Sequence, residues 1–271
     1  MEADSEAELR VRLEEEGEKI LGYFASNRMI ANASKTALVV FRSGSQLAPF
    51  QITLSGEVIV ETEDEKVLGV IVQRDSKWTN QCNKVTAEVN YATSVLRRLR
   101  HHLGCKELRT VADGIAMSKI RYCLPVYAGE SIRLSETDPQ SSALQRIQCA
   151  QNEMLRTVTG KRQRDHVRIA DLLEATGFLS VNQAAAYGLL LELWKAREFG
   201  VPVLSELLER KRIDERTLRS DSAKNISSSS HGALMLKSVK LWNATNSTFK
   251  STNLLTVAKK EAKAFVKMLP I

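Results

Sequence analysis

The sequence predicts an α+β fold: a small antiparallel sheet with one long N-terminal helix, followed by a mostly α-helical bundle and a helical tail. Three observations predict it. Leu9, Leu13, Ile20 and Phe24 recur at helical spacing up to about Asn27, the signature of one long amphipathic helix. Between Lys35 and Val72 the chain turns to short runs rich in β-branched residues and punctuated by glycine, which is strand and turn chemistry. Beyond Ser76 apolar residues return to a helical period and glycines stop the runs, as in a helical bundle.

Ser5-Glu6-Ala7-Glu8 has the form of a capping box, with serine accepting from the third amide and glutamate reaching back. Behind it the glutamates fall on the face opposite the apolar stripe, so this helix is expected to pack on a sheet. Asn32-Ala33-Ser34 is a polar turn, and Lys35 to Phe41 is expected as the first strand, with Lys35 as a single positive charge at its mouth. Phe50 to Leu54 and Glu57 to Glu61 read as two strands around Ser55-Gly56, because glycine supplies the positive φ that a two-residue turn needs. Lys66 to Val72, KVLGVIV, reads as one further strand, nearly all apolar and so expected to be buried on both faces. Within it Gly69 lets another backbone or a ligand come close.

Trp78, Cys82, Val85, Val89, Leu96, Leu99 and Leu103 predict a helix from Ser76, stopped by Gly104. A second helix is expected from about Lys106 to Tyr122, ending before Pro125 because the residue preceding proline is pushed out of the helical region. Ala128 to Pro139 is polar and aperiodic, and reads as a surface loop. Helices follow over about Ser141 to Val158, with Gly160 as cap, and over about Val167 to Ala175, with Gly177. A second capping box, Ser180-Val181-Asn182-Gln183, opens a helix that runs through Leu189, Leu190, Leu193 and Trp194 to Gly200. Pro202 opens a short helix to about Arg212, and Asp221 to Gly232, with four serines at Ser227 to Ser230, is a flexible linker by composition. Ala233 to Trp242 and Val257 to Leu269 are lysine-bearing amphipathic segments.

The charge is unevenly spread. Residues 1–66 hold 7 basic and 13 acidic side chains, net −6, and the remainder hold 32 and 19, net +13. A field of that sign attracts polyanions, nucleic acid first and an anionic membrane surface second. The four cysteines form no C-x-x-C pair, which argues against a disulfide framework or a zinc ribbon and suits a reducing compartment. There is no apolar run of the length a membrane span needs and no signal-peptide core at the acidic N-terminus. The expected location is therefore intracellular, cytoplasmic or nuclear, without a membrane partner.

Catalytic patterns are sparse. No phosphate-binding glycine loop, nucleophile elbow or His-Glu-x-x-His helix is present. His101 and His102 lie near Cys105, but adjacent residues on a helix diverge by about 100°, so a solvated basic helix end is the better reading than a metal site. Asp75 stands alone, and Asp64 sits in an acidic turn with Glu63 and Glu65. Positive charge is the stronger signal: Arg97, Arg98, Arg100, His101, His102, Lys106 and Arg109 fall around one helix junction, and Lys161, Arg162, Arg164 and Arg168 around another. Solvated helix ends and phosphate binding both account for such clusters. Trp78, Tyr122 and Tyr127 read as core residues rather than as platforms for bases.

The order and spacing of several short motifs resemble, nearly end to end, the C-terminal part of a non-LTR (LINE-type) retrotransposon reverse transcriptase. An acidic helix precedes Asn-x-x-Lys-Thr, here Asn32, Lys35 and Thr36. A hairpin follows, and then a Leu-Gly-Val strand near a tryptophan, here Leu68, Gly69, Val70 and Trp78. Arg97-Arg98-Leu99, Ser118 to Tyr122 with Pro125-Val126-Tyr127, Gln148 to Arg156, Leu179 to Gln183 and Leu241-Trp242-Asn243 continue the pattern.

The resemblance implies the end of a palm over 1–75, a helical thumb-like domain over 76–220, the serine-rich linker over 221–232 and a basic helical tail over 233–271. It implies that Lys35 occupies the position of a general acid for the leaving pyrophosphate, and that Leu68, Gly69 and Val70 form the primer grip. Arg97, Arg98, Lys119 and Arg121 lie where a thumb would face the template-primer duplex. Arg100, Lys106, Arg109, Lys161, Arg162 and Arg164 join them as candidate nucleic-acid contacts.

The family's catalytic aspartates belong before the helix that starts this chain and are not among its residues, so no cofactor is expected here and Mg2+ only for a complete palm. The expectation is a truncated reverse-transcriptase-like protein that binds an RNA–DNA or DNA duplex and does not polymerise by itself. A fragment of an active RNA-directed DNA polymerase whose missing palm lies upstream is one alternative. A helical interaction module or inert relic that binds no nucleic acid is the other.

Overall fold

The computed structural model describes residues 5–30, 35–41, 49–201 and 233–271. The turn at 32–34, the short helix expected over 202–212 and the serine-rich linker at 221–232 lie outside the described residues. The chain divides into two units, Met1–Gln81 and Cys82–Ile271. The fold is α+β, with antiparallel strands confined to the first unit and helices filling the second.

Helix α1 spans Glu6–Ser26, and Ser5 Oγ accepts from the Glu8 amide at 3.2 Å. Glu8 does not close the expected box, because its carboxylate turns along the helix to Arg12 at 2.6 Å. Strands β1 (Gln51–Leu54) and β2 (Glu57–Val60) pair antiparallel with Leu54 opposite Glu57. Ser55 and Gly56 between them both have positive φ, +48° and +82°, the two-residue turn whose twist matches that of its strands.

Leu9 and Leu13 of α1 pack with Leu54 on a small core of Leu38, Val40, Phe50, Ile52 and Ile59. Two glutamates expected on the solvent face serve the sheet instead. Glu14 accepts from the Thr53 amide at 2.8 Å and Glu18 from the Ser55 amide at 2.5 Å, which satisfies the outer edge of β1. Ile20 and Tyr23, further along the helix, are more than half exposed.

Nothing stands within 4 Å of the position a Cβ would take on Gly56, so the cost of a side chain there is conformational alone. Gly56→Ala is expected to destabilise the first unit by about 1–2 kcal/mol, read as a shift in the urea midpoint with no change in slope.

Two strand expectations are corrected. Lys35 to Phe41 is not a strand: a single parallel bridge joins Leu38 to Glu61, with the Thr62 amide donating to the Leu38 carbonyl at 2.8 Å. Leu38 and Val40 are buried and Phe41 is exposed, so the alternation is real. The ladder stops because its partner turns away at Thr62 into the next strand. Lys66 to Val72 is not one strand either. Strands β3 (Asp64–Val67) and β4 (Val70–Gln73) form a second hairpin closed by Leu68 and Gly69, at φ +48° and +85°. Apolar continuity concealed the turn, and Leu68 is 86 % exposed instead of buried. The sheet component is therefore two separate two-stranded sheets.

In the second unit, α2 (Thr79–Leu99) leads to α3 (Cys105–Ala112), a π-helical turn (Asp113–Met117) and α4 (Ser118–Arg121). Cys123, with φ +51°, breaks the helix before the short α5 (Leu124–Ala128), whose first turn carries Pro125. Helices α6 (Ser142–Thr159), α7 (Ile169–Thr176) and α8 (Val181–Phe199) each end on a left-handed glycine, at Gly160, Gly177 and Gly200. The box at Ser180 and Gln183 forms in both directions at 3.2 Å.

The segment 128–139 is not a free surface loop. Ile132 within it is 1 % exposed, and the Asn182 side chain bonds both the amide and the carbonyl of Arg133, at 2.8 and 3.0 Å.

Helix α8 is the hub. Val181, Ala185, Leu190, Leu193 and Ala196 on it are buried, and the tail helices α9 (Ala233–Ala244) and α11 (Leu255–Val266) pack against it. Between those two, α10 (Ser247–Ser251) is fixed by Arg197, which donates to the carbonyls of Lys250 and Thr252, and by Trp194 Nε1, which donates to Thr252 at 2.9 Å. Further along, Gln183 donates to the Leu269 carbonyl at 3.2 Å and Asn182 to that of Pro270 at 2.9 Å.

Two acidic protons are locked into this core. Burial pushes the Cys82 thiol up to about 11. It also raises the Tyr127 phenol, which donates to the Ile120 carbonyl at 2.9 Å. Both groups hold their protons more tightly when folded, so their contribution is complete below the unfolded values and is lost as pH rises through them. Stability of the second unit is expected to fall between pH 9 and 11, with Cys82 accounting for about 2–3 kcal/mol. Chemical denaturation across that range checks this, and Cys82→Ala should flatten the dependence.

Candidate nucleic-acid interface

The candidate residues fall into two groups, one in each unit. In the first unit Lys35 is exposed, three residues before the bridge at Leu38, and Asn32 lies outside the described residues. Leu68 and Gly69 form the tip of the second hairpin. Val70 beside them is buried, and the Ile71 amide donates to Gln81 Oε1 at 2.9 Å. No shared sheet brings Lys35 and Leu68-Gly69 together, because Leu38 pairs with Glu61 while the tip closes a separate ladder.

A magnesium ion, which the resemblance attaches to a complete palm, finds no fitting donor set among the described residues. Among the described residues no three His, Cys, Asp or Glu side chains come together. Asp64 Oδ2 accepts from Asn80 at 2.7 Å, and Asp75 Oδ1 from the Lys77 amide at 3.0 Å. Of the three aromatic residues read as core, Tyr127 is buried, Trp78 is half-buried with φ +57°, and Tyr122 is half-exposed.

In the second unit the ten candidate cations divide by what their charges already do. Arg97 pairs with Glu153 at 2.5 Å across α2 and α6, and Lys119 with Glu88 at 3.9 Å. Arg121 pairs with Asp113. Arg109 donates through Nε to the Thr176 carbonyl at the end of α7, with its guanidinium 5.1 Å from the centre of the Phe178 ring. These four are occupied by the fold. By contrast Arg98, Arg100, Lys106, Lys161, Arg162 and Arg164 are exposed and make no ion pair among the described residues.

The two basic clusters, far apart in sequence, meet. Arg100 at the end of α2 reaches to 4.0 Å from the Cβ position of Gly160, the cap of α6, from which Lys161, Arg162 and Arg164 continue. The loop's acid is spent locally, since Asp165 Oδ2 accepts from the Arg162 amide at 2.7 Å. The negative end of a helix dipole accounts for roughly half a unit of charge at each terminus. Six unpaired cations exceed what two helix ends ask for, and the surplus is available to an external anion.

A cleft of about 420 Å³ opens on the π-turn side of α3 and α4. Arg109 and Arg121 line it together with Phe178, Tyr187 and Lys263. Sequence reasoning singled out the two arginines but not the other three, which sit on later elements with no periodic signal linking them.

A scan against protein-family models finds no match, and comparisons with curated proteins and with solved structures find none either. Among the described residues no helix is long and apolar enough to cross a membrane.

Proposed function

We propose that this chain binds nucleic acid through the phosphate backbone, with the joined ends of α2 and α6 as the contact surface. The observation that carries the reading is the approach of Arg100 to the Gly160 cap, which brings two basic clusters together and with them exposed cations that make no ion pair among the described residues. Such a patch releases condensed counterions on binding a polyanion, and that release is a sequence-independent driving force. The motif order supports a template-primer duplex as the ligand, in the manner of the part of a non-LTR reverse transcriptase that the chain resembles. Its aspartates are not among these 271 residues, so the chain by itself is read as a binder rather than a polymerase.

Fluorescence anisotropy with a labelled RNA–DNA template-primer, repeated across a salt series, tests the reading. The logarithm of affinity should fall linearly with the logarithm of salt, by about 0.9 for each phosphate engaged on a duplex. Absence of binding at low salt would leave an inert helical module. Primer extension with magnesium is expected to give no incorporation, and clear incorporation would refute the assignment as a binder alone.

A further inference from the structure

We propose that the cleft between the π turn and α8 binds a single nucleotide, with its base against Arg109 and Phe178 and its phosphate toward Lys263. The cleft's volume, about 420 Å³, lies within the range of small-ligand sites. Its floor is apolar, with Met117 and Phe178 both buried.

Over that floor the Arg109 guanidinium is already positioned, tied to the Thr176 carbonyl and resting against the Phe178 ring. Guanidinium planes and aromatic rings are the surfaces on which unstacked bases lie, and one fixed in advance costs little to order. Tyr187 lines the same cleft, and its phenol offers a donor for a base edge.

The charge balance selects the other half of the ligand. Of the two carboxylates lining the cleft, Asp113 is held by Arg121 and Glu192 by Lys195 at 2.7 Å. Lys263 is left without a carboxylate among the described residues. A neutral hydrophobe would leave Lys263 unanswered, and inorganic phosphate would leave the apolar floor wet. A flat body with an anionic end satisfies both. Lys106 and Arg109 lie three residues apart on α3 and therefore on one face, so the cleft continues the exposed basic surface rather than standing apart from it. Its ligand is either a free nucleotide or an unpaired nucleotide of a bound strand, and the second source rests on the function proposed above.

Isothermal titration of the full chain with adenosine 5′-monophosphate, adenosine and inorganic phosphate tests this. Saturable binding of the nucleotide is expected, about tenfold or more tighter than either part alone. Lys263→Glu should weaken the nucleotide by about tenfold and leave adenosine unchanged, while Leu191→Trp, which fills the cleft from its half-buried rim, should remove both. A duplex with one unpaired 3′ nucleotide that outcompetes a blunt duplex for the cleft identifies the strand as the source, and equal binding identifies the free nucleotide. Nucleotide binding no tighter than phosphate, or insensitive to both substitutions, overturns the assignment. Nucleotide binding that persists in a chain with no affinity for duplex would overturn the proposed function and leave the cleft standing.

Discussion

Arg98→Glu, Arg100→Glu and Lys161→Glu together are expected to eliminate measurable duplex binding at physiological salt, with the melting temperature of the second unit nearly unchanged. The three side chains are exposed and make no ion pair among the described residues, so the fold loses little beyond their interaction with two helix ends, about 0.3–1 kcal/mol at each. Binding loses far more, because each phosphate contact removed takes away one released counterion and each reversed charge adds repulsion. Single reversals should flatten the salt dependence by about 0.9 per contact, which separates a lost contact from a damaged fold. Arg97→Ala is the control. Its charge is already shared with Glu153 in a half-exposed pair, and such pairs contribute less than about 1 kcal/mol, so both stability and affinity should barely move. A triple variant that binds duplex as the parent does would remove the α2–α6 patch from consideration.

Gln151→Leu is expected to be the most damaging substitution of similar size in the second unit, at about 2–4 kcal/mol. Gln151 has no exposed surface, and its amide donates to the Leu179 carbonyl at 2.7 Å while accepting from Gln148 Nε2 at 2.9 Å. Gln148 in turn accepts from the Val181 amide at 2.8 Å. Two buried glutamines on α6 thus satisfy the backbone on either side of Ser180, where the chain passes from α7 into α8. Leucine fills the volume but orphans the Leu179 carbonyl and half of Gln148, and an unsatisfied buried polar group costs about 1–3 kcal/mol. For a unit of this length that corresponds to a fall in melting temperature of roughly 5–15 °C. A leucine variant as stable as the parent would show that the network contributes nothing that packing does not replace.

How legible each feature was depended on whether its cause was local. The hairpin around Ser55-Gly56 could be read because both its turn chemistry and its strand propensity lie within ten residues. The second hairpin could not. Its turn places a leucine at positive φ in the middle of an apolar run, and hydrophobicity carries no mark of that. The helix over 105–121 was legible as a helix, but not its π turn, which shifts register without altering the apolar pattern. Each half of the basic patch was visible as composition. Their meeting was not, since it depends on how α2 crosses α6, and four of the ten candidate cations proved to be occupied by packing partners that sequence does not reveal.

The bonds from Asn182 and Gln183 to the carbonyls of Pro270 and Leu269 bear on synthesis. The start of the central helix completes its hydrogen bonding only with residues almost ninety positions later. During translation that flank of the helix stays open to water until the distant segment clears the ribosome, and contacts so remote in sequence are slow to form. The nascent helical unit is thus exposed to chaperones and proteases for the whole interval. Emergence of the segment around Leu269 and Pro270, rather than of the core helices, should mark the onset of protease resistance.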